Sequence, residues 1–197
     1  MLRPSLAFAL VAIATSTGCE QLTTVVVPAE SEIEVPGSNI LGGNPLVANQ
    51  VFPASALSDA LAQSISQTFD TAGYNKDAVD SLKLTKLTMT VEEPNQGDRQ
   101  IRGLGFVEKL TIAVGAEGVD AVVAAESDDG AFEGAPGPAS YDMPVTGAEL
   151  VDVFKASDAM QMDADLEPSD PPQFATTVLF ETELTIEVNV VGALGGG

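Results

Sequence analysis

Carboxylates are the most abundant side chains in this sequence that can do chemistry, and one group of them lies within a single short segment. The segment carries Glu126, Asp128, Asp129 and Glu133 around Gly130. Hard cations such as Ca²⁺ prefer several oxygen ligands, and a glycine permits the chain to wrap tightly around an ion. The spacing does not follow the EF-hand loop. We treat these four acids as a candidate calcium site, with a solvated acidic loop as the alternative.

Two further acidic groups alternate with apolar residues. They comprise Asp163, Asp165, Glu167 and Asp170 in one group, and Glu181, Glu183 and Glu187 in the other. Successive side chains of a strand point to opposite faces of the sheet, so most of these acids are expected on solvent-facing positions. Both groups therefore predict wet strand faces.

The residue types that are missing exclude several reaction classes. The sequence has no His, no Trp and one Cys. Without histidine it lacks the common general base near neutral pH and the commonest zinc ligand. A single cysteine excludes an intramolecular disulfide and a thiolate metal cluster. Two carboxylates suffice for glycoside hydrolysis, but the acids here occupy outward or loop positions and no Trp is present to hold a sugar. We predict a non-catalytic protein.

The one cysteine, Cys19, follows a short apolar segment at the N-terminus. Arg3 gives a positively charged start, and residues 6–14 (LAFALVAIA) form an apolar run of nine residues. A helix that spans a bilayer needs about 20 such residues. The run therefore indicates a signal-peptide core, and the small residues at 15–18 suit cleavage.

With Gly18 and Cys19 at its end, this segment resembles the precursors of bacterial lipoproteins, in which a small residue precedes an invariant cysteine. Ser16 departs from the pattern, which usually has an aliphatic residue there. The resemblance covers only the N-terminus. It implies cleavage between Gly18 and Cys19, a diacylglycerol thioether on Cys19 and acylation of its freed amine. Glu20 replaces the Asp that inner-membrane lipoproteins often carry, which favours the outer membrane.

Two alternatives remain for this segment. Residues 12–14 form an A-x-A pattern, after which an ordinary signal peptidase would release a secreted or periplasmic soluble protein. Alternatively, Cys19 is an incidental buried thiol.

The charge balance limits the partners. The chain has 8 Lys and Arg against 29 Asp and Glu, a net charge of −21 at pH 7. Nucleic-acid phosphates and anionic headgroups repel such a polyanion, so both are poor partners. The acids are read as a solvated surface that maintains solubility, or as a face that collects divalent cations.

Residues 54–70 carry the clearest helical pattern. The apolar residues that recur at every fourth position are Leu57, Leu61, Ile65 and Phe69. They share one face of a helix. Ser55 is the predicted N-cap, and Gly73 lies just beyond the predicted end.

Alternation with a period of two predicts strands in most of the remaining chain. Leu82 and Leu84 share one parity and Leu87 and Met89 the other, so a bulge is predicted at residues 85–86. Further strands are expected at 23–27, 32–35, 110–114, 121–125, 160–166 and 180–190. The methionines are assigned to the core. Residues 126–147 hold four Gly and three Pro, which predicts a long surface loop without a strand.

Together these patterns predict a mainly β protein, an antiparallel β-sandwich with one amphipathic helix across an end or edge. The alternative is an open α+β sheet. The predicted organisation is a signal peptide at 1–18, a lipidated N-terminus with tether and first strand at 19–46, a β-rich domain at 47–191 and a disordered Gly-rich tail at 192–197. The leading hypothesis is an envelope lipoprotein, held to the membrane by its lipid, that presents a β-domain to another protein or an envelope polymer. The rival is an exported carrier of a small ligand or Ca²⁺.

Overall fold

Two antiparallel sheets form the framework in the computed structural model. The structure describes residues 22–37, 47–92, 103–134, 137–157, 160–167, 171–172 and 175–189. The predicted signal peptide, Cys19 and the Gly-rich tail lie outside these residues. The strands are β1 (Leu22–Val35), β2 (Val79–Val91), β3 (Leu110–Ala116), β4 (Val119–Glu126), β5 (Ser140–Asp142), β6 (Gln161–Leu166) and β7 (Thr176–Asn189). The helices are α1 (Ala48–Val51), α2 (Ala54–Ala72) and α3 (Val151–Ala156), with a 3-10 helix at Lys76–Ala78.

The two sheets share one hydrophobic core, so the predicted sandwich is confirmed and the open single sheet is wrong. Sheet A has the strand order β1-β7-β2-β5, and sheet B has the order β4-β3-β6. Buried side chains from both sheets and from α2 belong to one contiguous cluster. Met89, Met143, Met160 and Met162 are buried in it, as predicted.

Strand β7 lies at the centre of sheet A and follows the predicted alternation. Its inward positions from Thr176 to Val188 are buried, and its outward positions are half-buried. Thr182 is the polar residue that interrupts the apolar parity, and its side chain is 1% exposed. Its hydroxyl donates a hydrogen bond of 3.0 Å to the Ala29 carbonyl of β1. A buried hydroxyl is tolerated there because it has an acceptor.

The change of parity in β2 coincides with a bulge, as predicted. The register against β7 shifts between Leu84 and Lys86. One extra residue on the bulged strand moves the side chains that follow it to the other face. Leu84 before the shift and Leu87 and Met89 after it are therefore all buried.

Helix α2 packs by the predicted stripe against the two edge strands β1 and β6. It ends at Gly73, whose φ of 70° is left-handed, as expected of a C-cap. The predicted N-cap is wrong. Pro53 occupies that position without a side-chain hydrogen bond, and Ser55 lies inside the first turn. The helix begins at Ala54, directly after Pro53, whose fixed φ is compatible with a helix start.

The segment 126–147 is not a strandless surface loop, which corrects the sequence prediction. Residues Ser140–Asp142 pair with β2 as the edge strand of sheet A. Phe132 and Met143, which both belong to this segment, are buried in the core. This three-residue strand lies between Pro138 and Pro144, and nearby prolines are tolerated because an edge strand makes hydrogen bonds on one side only. At Gly137 a Cβ atom would collide with the Gly105 backbone nitrogen, so a side chain is excluded there.

Candidate functional site

A polar groove of about 460 Å³ lies at the C-terminal end of β4. Its lining residues are Lys109, Glu126, Ser127, Asp128, Asp129, Pro144, Val145 and Thr146. They come from three places in the chain: the approach to β3, the end of β4 and the segment after β5. Three of the four predicted calcium ligands therefore line one groove.

Backbone hydrogen bonds hold the two walls of the groove together. The Ser127 N–H donates to the Leu110 carbonyl at 2.9 Å, and the Leu110 N–H donates to the Ser127 hydroxyl oxygen at 3.0 Å. On the other side, the Glu126 N–H donates to the Pro144 carbonyl at 3.1 Å. Ser127 is 4% exposed. Its side chain therefore satisfies a buried backbone donor and fixes the floor of the groove.

Lys109 supplies a positive charge to the groove and is paired. Its ammonium lies 2.8 Å from the Glu126 carboxylate. The hydrogen bond and the charge of Glu126 raise the pKa of Lys109, and the charges of Asp129 and Glu167 add to the rise. The lining has three carboxylates against this one ammonium group, so the groove keeps a negative balance.

Asp128 is hydrogen-bonded to Tyr141, which belongs to an aromatic pair behind the groove. Its N–H donates to the Tyr141 phenol oxygen at 3.1 Å, and the phenol donates to its carboxylate at 3.3 Å. The Tyr141 ring packs edge-on against Phe132, with centroids 4.8 Å apart. Partial burial raises the pKa of Tyr141, and the neighbouring Asp128 carboxylate adds to the rise.

The four predicted calcium ligands do not converge on one point. Glu126 forms an ion pair with Lys109, and Asp128 is hydrogen-bonded to Tyr141. Asp129 also lines the groove. Glu133 lies outside the lining, with its carboxylate packed over Gly130. Within the described ranges, no group of three acids is arranged to hold a metal ion.

The other two acidic groups lie on strands, as the alternation predicts. Asp163, Asp165 and Glu167 are exposed on or just after β6, and Asp170 lies outside the described residues. Glu181, Glu183 and Glu187 occupy the outward positions of β7 and are half-buried. Lys86 of β2 lies 3.8 Å from the Glu181 carboxylate, so a cross-strand cation offsets part of this charge.

Sequence reasoning missed Lys109, Ser127 and Thr146 in the lining of the groove, and Tyr141 behind it. Lys109 carried a signal, since only one other basic residue follows it in the chain. Tyr141 carried none, because its contact with Asp128 depends on the pairing of β5 with β2. The Thr146 hydroxyl donates to the Val123 carbonyl at 2.8 Å and closes the edge of β4.

The groove can offer carboxylate oxygens, a hydroxyl and one ammonium group to a small polar ligand. Gly18 and Cys19, the predicted cleavage and lipidation residues, lie outside the described residues. In the part of the chain that the structure describes, no helix combines the length and apolar character that crossing a membrane requires. Comparisons with protein-family models, curated proteins and solved structures found no match to this chain.

Proposed function

We propose that this chain is an exported lipoprotein of the bacterial envelope, anchored through Cys19, whose acidic β-sandwich acts by binding and not by catalysis. The anchor is a diacylglycerol on the Cys19 sulfur together with an acyl chain on its amine. Each buried CH₂ group contributes about 0.8 kcal/mol to membrane binding, so several chains hold the protein permanently. The outer membrane is the favoured destination.

The observation that carries this proposal is the position of the single cysteine. Cys19 stands directly after Gly18, five residues beyond the end of the apolar segment, and three residues before Leu22, the first residue of β1. The only thiol of the chain therefore lies at the junction between the export signal and the folded domain, where lipidation requires it. The described strands supply the domain that such an anchor would present, and their outward faces are polar enough to stay in water.

Mass spectrometry of the protein purified from membranes tests this proposal. We expect a mature chain that begins at Cys19 and carries the mass of a diacylglyceryl group and an amide-linked acyl chain. The Cys19→Ala variant should lack the lipid and should leave the membrane fraction. A product that begins at Thr15, or a free thiol at Cys19 in the native protein, would contradict the proposal.

The groove favours a second candidate function, the binding of a small ligand or of Ca²⁺. It gathers Glu126, Asp128 and Asp129 around one opening, although two of them already have partners. A ligand that binds only the folded state raises its stability by mass action. Thermal melts in millimolar Ca²⁺ and in equal Mg²⁺ test this. A rise that Ca²⁺ produces and Mg²⁺ does not would favour the carrier, whereas equal shifts indicate charge screening alone.

A further inference from the structure

The first strand begins so close to the predicted lipid anchor that the anchor must constrain how the domain lies on the membrane. Leu22 follows Cys19 by three residues. An extended chain advances at most about 3.6 Å per residue, so the Cys19 Cα lies within about 11 Å of the Leu22 Cα. That span is short compared with the domain, because 14-residue strands such as β7 extend roughly 40 Å.

The register of sheet A identifies which residues share the anchored end. Leu22 pairs with Asn189 at the last rung of β7. The adjacent rung of β7, Val188, pairs with Val79, the first residue of β2. The 3-10 helix Lys76–Ala78 directly precedes Val79, so it lies at the same end.

The groove lies toward the other end of sheet A. Its Asp128 binds Tyr141, and Tyr141 pairs with Met89 of β2. Val79 pairs with Val188 and Met89 with Phe180, so the two rungs are eight residues apart along β7, roughly 26 Å of extended strand. The groove is thus displaced along the sheet from the rung of Leu22 by about twice the reach of the link.

We infer that the short link holds the end formed by Leu22, Asn189 and the 3-10 helix against zwitterionic lipid headgroups and turns the groove away from the bilayer. This inference rests on the proposed lipid anchor. The net charge of −21 gives the domain no attraction to anionic lipid, so the covalent link alone would set the orientation. The groove would then face the partners that the domain meets in the envelope.

Site-specific fluorescence quenching tests the orientation. A thioether at Cys19 blocks its thiol, and the chain has no other cysteine, so an introduced cysteine takes up a thiol-reactive fluorophore alone. Asp77→Cys in the 3-10 helix and Asp129→Cys at the groove are a matched pair, because both replace exposed aspartates. The lipidated variants are placed in phosphatidylcholine vesicles that carry a nitroxide on the headgroup.

We expect a severalfold greater loss of emission at position 77 than at position 129. A long Gly/Ser insert between Glu20 and Gln21 should reduce this difference, because a flexible linker frees the domain to rotate. Equal quenching at the two positions, or a difference that the insert leaves unchanged, would overturn the inference while leaving the anchor intact. Fluorophore uptake by the otherwise unaltered chain, at Cys19, would overturn the anchor and the inference together.

Discussion

At the scale of single residues, buried polar groups in this protein are held by specific partners. The Thr182 hydroxyl reaches a carbonyl of the neighbouring strand, and the Ser127 hydroxyl oxygen receives the Leu110 N–H. An unsatisfied buried donor costs more than the net gain of an ordinary hydrogen bond. These two small side chains therefore contribute more to stability than the many exposed carboxylates.

Replacing Ser127 with alanine should destabilise the protein by about 1–3 kcal/mol, because the buried Leu110 N–H loses its acceptor. Ser55→Ala is the control. Ser55 is exposed inside α2, so this change should be neutral or slightly stabilising, since alanine favours helix more than serine does. Urea unfolding of both variants measures the difference. A loss of about 1 kcal/mol in Ser55→Ala would instead restore Ser55 as the helix cap.

Glu149 should make the stability depend on pH. Its carboxylate lies 2.7 Å from the Lys83 ammonium and accepts hydrogen bonds from Ser81 and the Leu82 N–H. Burial works to raise the pKa of Glu149, but these hydrogen bonds outweigh it and hold the pKa below the ordinary value of 4.5. A depressed pKa stabilises the folded state above the unfolded-state pKa, and this contribution is lost as the pH falls through the folded-state pKa.

Glu149→Gln should therefore lower the urea midpoint at pH 7, by less than Ser127→Ala does because the ion pair is about half exposed and screened by water. The difference from the unaltered protein should shrink below about pH 4. Glu117→Gln, at an exposed carboxylate in the turn between β3 and β4, controls for the lost charge. A penalty of the same size at pH 3 and at pH 7 would show that the carboxylate charge is irrelevant.

At the scale of elements, local periodicity predicted most helices and strands, and the errors include one helix start and one whole strand. The stripe of α2, the bulge of β2 and the alternation of β7 are confirmed because each depends on the spacing of apolar residues along one element. The start of α2 and the strand β5 were missed. The start of α2 directly follows Pro53, a local feature that the expectation of a serine cap overlooked. Strand β5 depends on its pairing with β2, which spacing along one element does not encode.

The end of α2 offers a test at this scale. Gly73→Ala should cost about 1 kcal/mol, because a Cβ atom is unfavourable in the left-handed conformation. No atom lies within 4 Å of the position a Cβ would occupy, so the cost is conformational and not a clash. Gly73→Asn should cost less, since asparagine tolerates this conformation. Urea unfolding ranks the three proteins, and equal losses for Ala and Asn would point to another cause.

At the scale of the whole molecule, charge repulsion opposes folding. The net charge is −21, and ion pairs such as Lys109–Glu126 and Lys83–Glu149 are partly exposed. Exposed pairs contribute little, whereas a large net charge destabilises the compact state. Repulsion should therefore dominate the response to salt.

Raising NaCl from low ionic strength to about 0.15 M, where the Debye length is about 8 Å, should raise the melting temperature by a few degrees. The sample is the chain from residue 19 with Cys19→Ala, so that no lipid intervenes. KCl at the same concentration should give the same shift, because screening depends on ionic strength. A melting temperature that falls with salt would mean that the ion pairs outweigh the repulsion.

The sequence by itself determined the fold class, the buried stripe of α2 and the outward acids of β6 and β7. Each of these is local, since periodicity and composition are properties of one contiguous segment. Only the tertiary structure decided the groove. Its walls join Lys109, Glu126 and Thr146 through the pairing of β3 with β4 and the return of the chain after β5. The tertiary structure also decided which partner each acid binds, because those partners are distant in sequence and meet only when the sheets form.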